Sequence, residues 1–259
     1  MRTGLNVEFL GAILAMVSLG SWAADVNDLT SAAPALEKYT QERLLGEVWK
    51  RPQLSARDRS ITTVAALIAR NQVNELPRYL RLALDSGVKP AELSEIITHL
   101  AFYSGWANAT AAAAVTKDVF VERKISSNQL APAKPKLLEM SEAALKSEKE
   151  REVRVGQQFG AVSEGVVQYT TEVLFLDLWL RPDLSPRDRS LVTVSALIAT
   201  GQVQQLGSHL SRAMDNGLTQ SEASEVLTQL AFYAGWPNVF SALPIAKDVF
   251  GNEPSREHR

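Results

Sequence analysis

The stretch Trp49–Ala69, WKRPQLSARDRSITTVAALIA, is written a second time as WLRPDLSPRDRSLVTVSALIA at Trp179–Ala199. The spacing is constant: 187 − 57 = 130 for Arg57 and Arg187, and 247 − 117 = 130 for the lysines of the repeated KDVF. From Trp49 to Phe120 the copies align without a gap, and roughly half of the aligned positions are identical. A repeat of this length is a duplicated module, so the fold question reduces to the fold of one copy.

Within a copy the apolar residues keep a helical period. Ser55 stands where an N-cap is wanted, and Ile61, Val64, Leu67 and Ile68 follow on one face. A second helix is expected over Asn74–Ser86, stopped by Gly87 just past its C-terminus. Pro90 and the acidic Glu92 open a third that runs to Ser104, where Gly105 breaks it, and Trp106–Phe120 forms a fourth. Neither copy alternates apolar and polar residues long enough for a strand, so the fold class is all-α, as two tandem helical modules.

Composition narrows the chemistry. The chain has 259 residues, 46% of them hydrophobic, enough for one large core or two ordinary ones, and two cores of roughly 100 residues each fit the repeat. A net charge of −2 gives no electrostatic reason for a nucleic-acid or anionic-membrane partner. With no cysteine anywhere, disulfides, thiolate catalysis and cysteine-ligated metals are excluded. Arg2, the apolar run Phe9–Leu19 and the small residues Ser21 and Ala23 have the order of a secretory signal peptide cut before Ala24, so a soluble exported, periplasmic protein is expected, the alternative being a membrane anchor or a buried helix. The expected organisation is a signal peptide over 1–23, a first module over 30–125, a linker over 126–150, a second module over 151–251 and a polar tail over 252–259. Pro132 and Pro135 mark the linker, and the charged run Glu142–Arg154 reads as a solvated helix.

The third helix carries the candidate chemistry. Leu93, Ile96, Ile97, Leu100 and Ala101 make its apolar stripe, while Glu92, Glu95, His99 and Tyr103 share the edge. Glu95 lies one turn before His99 and can orient the imidazole. The second copy has Glu222, Glu225, Gln229 and Tyr233 there. After Gly105 the Trp106 ring can fold back toward this edge, and Trp236 likewise, or both tryptophans serve only the packing of a helical corner. Of the three histidines, His258 lies in the polar tail and His209 on the second copy's second helix, beside Gln202 and Gln205; its first-copy counterpart is Tyr79.

The stretch LSPRDRSLVTVSALIATGQ, followed by QLGSHL, AMDNGLT, SEASEVLTQLAFYAGWPN and SAL, resembles the carboxymuconolactone decarboxylase family, in two copies spanning nearly all of the mature chain. The resemblance implies an all-α fold shared with the alkylhydroperoxidase AhpD, and assembly in rings built from trimers, here a homotrimer of two-module chains. The family's peroxidase branch uses a Cys-x-x-Cys-x-x-x-His segment; the matching positions here are Gln202, Gln205 and His209, and Gln72, Glu75 and Tyr79. The glutamate which that branch has upstream is replaced by Ser60 and Ser190. Without thiolates there is no peroxide-reducing nucleophile. The decarboxylase branch has two histidines per copy, one on helix two and one on helix three. This chain keeps one in each copy, His99 with Tyr79 and His209 with Gln229, which allows either two weakened sites or one composite site. Pro237 follows Trp236 as the family pattern asks, whereas Ala107 follows Trp106.

What the resemblance implies is cofactor-free, metal-free decarboxylation, or related lactone or enol chemistry, on a small carboxylated substrate. Such a reaction needs a cation for the carboxylate, a donor at the developing enolate oxygen and a proton donor at carbon. Arg57, Arg59, Arg187 and Arg189 are candidate anchors, with Trp106 and Trp236 as binding surfaces. His99 and His209 are candidate proton donors, supported by Glu95 and Glu225, and Tyr103 and Tyr233 candidate donors to oxygen. The repeated RDRS reads equally as a capping and ion-pair network. The alternative function is a non-catalytic oligomeric protein that binds small molecules.

Overall fold

The computed structural model describes residues 29–252; the signal peptide expected over residues 1–23 and His258 lie outside them. In each copy a short helix runs into a turn of π-helix, then a 3-10 turn and four helices. In the first these are α1 (Pro34–Tyr39, π over Thr40–Leu45), the 3-10 turn Val48–Lys50, α2 (Ala56–Ala69), α3 (Leu76–Asp85), α4 (Pro90–Ser104) and α5 (Trp106–Glu122). The helix α6 (Glu142–Phe159) stands between the copies. The second copy repeats the order: α7 (Glu164–Tyr169, π over Thr170–Phe175), the 3-10 turn Leu178–Leu180, α8 (Pro186–Ala199), α9 (Val203–Asp215), α10 (Gln220–Ala234) and α11 (Trp236–Asn252). No strand occurs among the described residues.

Local sequence explains the boundaries. Ser55 and Ser185 accept from the backbone N–H of Asp58 (3.0 Å) and Asp188 (3.1 Å), three residues into α2 and α8. Thr219 and Glu222 make a reciprocal capping box on α10.

The packing corrects one expectation: the copies do not build two cores. Every residue of α2 from Asp58 and of α8 from Asp188 is buried, because the two helices lie against each other at the centre. A single hydrophobic cluster runs through both copies. Each central helix also packs on the third helix of the other copy, α2 on α10 and α8 on α4. The chain is thereby a pseudo-twofold pair of modules locked by their most buried helices.

The Gly-Trp segments are the corners of this assembly. Gly105 (φ 95°) and Gly235 (φ 88°) adopt a conformation that side chains with a Cβ avoid. Two residues beyond each tryptophan an asparagine closes the corner. Asn108 donates to the carbonyls of Ala69 (3.0 Å) and Ser104 (2.9 Å), and Asn238 to those of Ala199 (3.1 Å) and Ala234 (3.0 Å). The orphan carbonyls at two helix ends are satisfied by one side chain. Trp106 and Trp236 do not fold back: they are 62% and 52% exposed and meet Phe102 and Phe232 edge-on.

The stretch between the copies is also less detached than its charge suggests. Glu148 and Arg151 of α6 are buried, and the boundary expected between residues 150 and 151 falls inside this helix.

Candidate functional site

Most of the charged candidates pair with one another. Both carboxylate oxygens of Glu95 accept from Arg181 (2.8–3.1 Å), and Arg189 donates to Glu95 as well. By pseudo-symmetry Glu225 accepts from Arg51 (2.8 and 3.0 Å) and Arg59 (2.9 Å). Arg57 bridges Glu92 (2.7 Å) and Asp188 (2.9 Å), and Arg187 bridges Glu222 (2.7 Å) and Asp58 (2.8 Å). Every one of these clusters joins the two copies. The four arginines expected to clamp a substrate carboxylate are thus engaged by the protein's own carboxylates, and Glu95 faces guanidinium groups rather than His99. The RDRS segments act as the ion-pair network.

The remaining candidates gather at two equivalent places, each made from both copies. In one, Trp179 donates its indole N–H to the Tyr103 hydroxyl (2.9 Å), and Tyr103 stacks on His99 (4.7 Å between centroids, 22°) while meeting His209 edge-on at 5.4 Å. His209 also lies parallel to Trp179, at 6.4 Å. In the other, Trp49 donates to Tyr233 (2.8 Å), and Tyr233 donates to Tyr79 (3.1 Å). Both described histidines therefore belong to one place, and Gln229 and Tyr79 fill the corresponding positions in the other.

His99 is fully buried, with Nε2 2.8 Å from the Thr193 hydroxyl. That hydroxyl donates to the Arg189 carbonyl (2.9 Å), so it accepts from His99, which assigns the proton to Nε2. At the mirror position Gln229 donates to Thr63 (3.2 Å) and accepts from Arg59 (3.0 Å). His99 gives Arg189 no such acceptor: Arg189 Nη1 and His99 Nδ1 are both buried without a protein partner among the described residues. An unpaired buried polar group costs on the order of 1–3 kcal/mol. Glutamine would be the more stabilising residue, and the imidazole is present against that preference.

A cavity of about 830 Å³ opens over the histidine-bearing place, a size fit for a small ligand. Tyr103, His209 and Arg212 line it, with Phe175, Gln205 and the α6 residue Arg151; His99 lies behind Tyr103. The Arg212 guanidinium rests over Trp179 (5.2 Å) and Phe175 (4.9 Å), and no carboxylate stands within ion-pair distance of it among the described residues. Burial, then Arg212, pushes His209 down to about 4. Burial, then Arg189 and His209, holds His99 well below 6.5. Burial raises Tyr103 to about 12. At neutral pH the unliganded cavity therefore presents the neutral His209 imidazole and the protonated Tyr103 phenol beside the Arg212 guanidinium, with a neutral His99 behind Tyr103.

These features define a class: an all-helical, two-copy protein with a cavity lined by histidine, tyrosine and arginine from both copies. A model of the Carboxymuconolactone decarboxylase family matches the chain twice, over residues 34–118 and 164–248. The chain belongs to that family. It is 38% identical over 74 residues to the 4-carboxymuconolactone decarboxylase of Acinetobacter baylyi, an alignment covering 29% of this chain and 55% of that protein. It is 32% identical over 82 residues to the nitrosuccinic acid decarboxylase npaB of Metarhizium robertsii, covering 32% of this chain and 57% of that one. The chain spans a little over half the length of each of these relatives.

Arg212, Phe175, Trp179 and Arg151 were not among the sequence candidates. The signal that finds Arg212 and Phe175 is divergence between the copies, whereas Trp179 is repeated as Trp49 and Arg151 lies outside the repeat. Counting back 130 residues from His209, Arg212 and Phe175 gives Tyr79, Leu82 and Leu45, so the repeat breaks at positions that the fold brings around one cavity.

Proposed function

We propose that the chain is a cofactor-free carboxy-lyase, or an enzyme of closely related lactone or enol chemistry, with one working site per chain. One observation carries the reading: Arg212, Tyr103 and His209 converge on the cavity at one of two pseudo-equivalent places, and the equivalent residues elsewhere are Leu82, Tyr233 and Tyr79. In the proposed reaction Arg212 holds the substrate carboxylate. The bond from that carboxylate to carbon breaks, carbon dioxide leaves, and the electron pair stays on carbon, delocalised onto a neighbouring carbonyl oxygen. Tyr103 donates a hydrogen bond to that oxygen, and His209 delivers the proton to carbon. A carboxylate bound beside Arg212 offsets the charge that keeps the imidazole neutral, so substrate binding itself raises the proton affinity of His209. His99 is a positioning residue that fixes the Tyr103 ring from behind.

The acids named for the two relatives, 4-carboxymuconolactone and nitrosuccinic acid, are the first substrates to try, followed by other lactone acids and cyclic enols. Carbon dioxide release above a heat-inactivated control is expected, with kcat/KM reduced at least about tenfold in Arg212→Met, a loss of roughly 1.4 kcal/mol in transition-state binding. Binding of these acids without turnover would turn the reading into that of a binding protein. Equal turnover in wild type and Arg212→Met would remove Arg212 from it.

We also propose that the chain self-associates as a trimer, through the outward aromatic faces. Trp236, Phe240 and Leu243 line an apolar groove with Phe232, and Trp106 with Phe102 presents the corresponding face of the first copy. Contiguous apolar surface of this kind marks an interface. Light scattering is expected to give three chains per particle, and the double variant Trp106→Ser, Trp236→Ser a smaller one. A monomeric wild type would rule this assembly out.

A further inference from the structure

The helix α6 lies between the two family-matching segments, yet it forms one wall of the cavity through Ser147, Arg151 and Arg154. Arg151 is held in place from several sides. Its Nε donates to both oxygens of Glu148 (2.8 and 2.9 Å), and its Nη2 donates to Glu148 and to the Thr171 hydroxyl (3.1 Å) in the π-turn. Its guanidinium carbon lies 4.3 Å from the Phe175 ring centroid, while that of Arg212 lies 4.9 Å from the same ring. Phe175 stacks in turn on Trp179 (6.3 Å, 17°), the residue that donates to Tyr103. Replacing a buried ion pair by apolar residues is often neutral or stabilising, so the Glu148–Arg151 pair is poorly explained as a stability device.

We propose that Arg151 is a positioning residue of this site: clamped by Glu148 and Thr171, it fixes the Phe175 ring and thereby sets where the Arg212 guanidinium rests beside His209. The inter-copy helix is then a working wall of the cavity. A planar, forked guanidinium suits this task in a way that an ammonium does not, because it can stack on the ring while both edges are hydrogen-bonded. The inference uses the reading of Arg212 as carboxylate anchor for its consequence in turnover, but the coupling between the two arginines can be measured without any substrate.

The measurement is a pH titration of the histidine ring Cε1–H resonances of the full chain, with His209 assigned by loss of its signal in His209→Gln. The groups facing His209 are Tyr103 and His99 from α4, Arg212 on its own helix, Trp179 from the 3-10 turn, and Glu148, Glu150, Arg151 and Arg154 from α6. Arg212 contributes to keeping His209 low. Arg151→Met is therefore expected to raise the His209 pKa by about half a unit or more, as Arg212 loses its rest, and to leave it unchanged in an Arg212→Met background. Arg151→Lys, which keeps the charge and loses the fork, is expected to raise it too, and it carries the same cycle should the methionine variant not fold. An equal shift with and without Arg212, or a wild-type value in Arg151→Lys, would overturn the proposal. If turnover proves indifferent to Arg212 while the cycle still shows coupling, the anchor reading fails and the positioning role stands.

Discussion

His209→Gln is expected to lower kcat by about 10²–10⁴-fold on a decarboxylated substrate, the usual contribution of a positioned proton donor. Its mirror, Tyr79→Phe, should leave turnover at the wild-type level. The contrast follows from what each residue meets. His209 lines the cavity beside Tyr103, whereas the Tyr79 hydroxyl takes up the proton of Tyr233 (3.1 Å) within a packed aromatic cluster. Losing that hydroxyl should cost stability of about 0.5–1.5 kcal/mol, visible as a lower melting temperature and not as a rate. The pH dependence has a defined sign. With His209 depressed to about 4 in the free protein, its acid form is scarce at neutral pH and grows tenfold for each unit of acidification. kcat/KM, which reports the free enzyme, should therefore rise as pH falls from 7 toward 4. The kcat profile should bend at a higher pH, because the bound carboxylate raises the imidazole. A His209→Gln variant with unaltered kcat, or a kcat/KM flat across that range, would take the proton transfer away from His209.

How far the sequence could be read depends on whether partners lie on the same helix or across the molecule. The helices, the Gly105 and Gly235 corners and the duplication were legible, because caps, glycines and periodicity act within a few residues. The composite site was legible only as one of two options. His99 and His209 sit on different helices of different copies, and nothing local says that Tyr103 on α4 of one copy meets His209 on α9 of the other. That pairing follows from burying α2 and α8 on all sides, a property of the assembled core. The arginines were harder. Arg57 and Arg187 look alike with respect to chemistry whether they hold a substrate or Asp188 and Asp58, and only the fold shows which carboxylate arrives. Arg151 was hidden for the opposite reason: Glu148 satisfies it one turn away, so the run Glu142–Arg154 has the composition of a solvated helix although its centre is buried.

The second large effect expected is on stability, from removing one carboxylate at the junction of the copies. Glu95→Ala should destabilise the fold by about 3–5 kcal/mol, because it strands a buried cation. Arg189 is fully buried, and Glu95 is its only carboxylate partner among the described residues. Arg181 loses its ion pair as well but is not fully buried. At about 2–4 °C per kcal/mol for a domain of this size, the melting temperature should fall by on the order of 10 °C. The pseudo-symmetric Glu225→Ala strands Arg59 and should cost a similar amount, even though that half of the molecule has no histidine. This equality separates the two roles that Glu95 can be given. A residue that orients His99 for catalysis would, when changed to Gln, lower turnover with little loss of stability, and the matching change at Glu225 would do nothing to the rate. A residue that holds the copies together would cost stability at both places alike. The geometry assigns Glu95 to the second role, since its carboxylate is taken up by Arg181 and Arg189, and denaturant unfolding of Glu95→Ala and Glu225→Ala decides it. Unfolding free energies within 1 kcal/mol of wild type for both would mean that the charge network does not lock the copies, and that their junction rests on the apolar faces of α2 and α8.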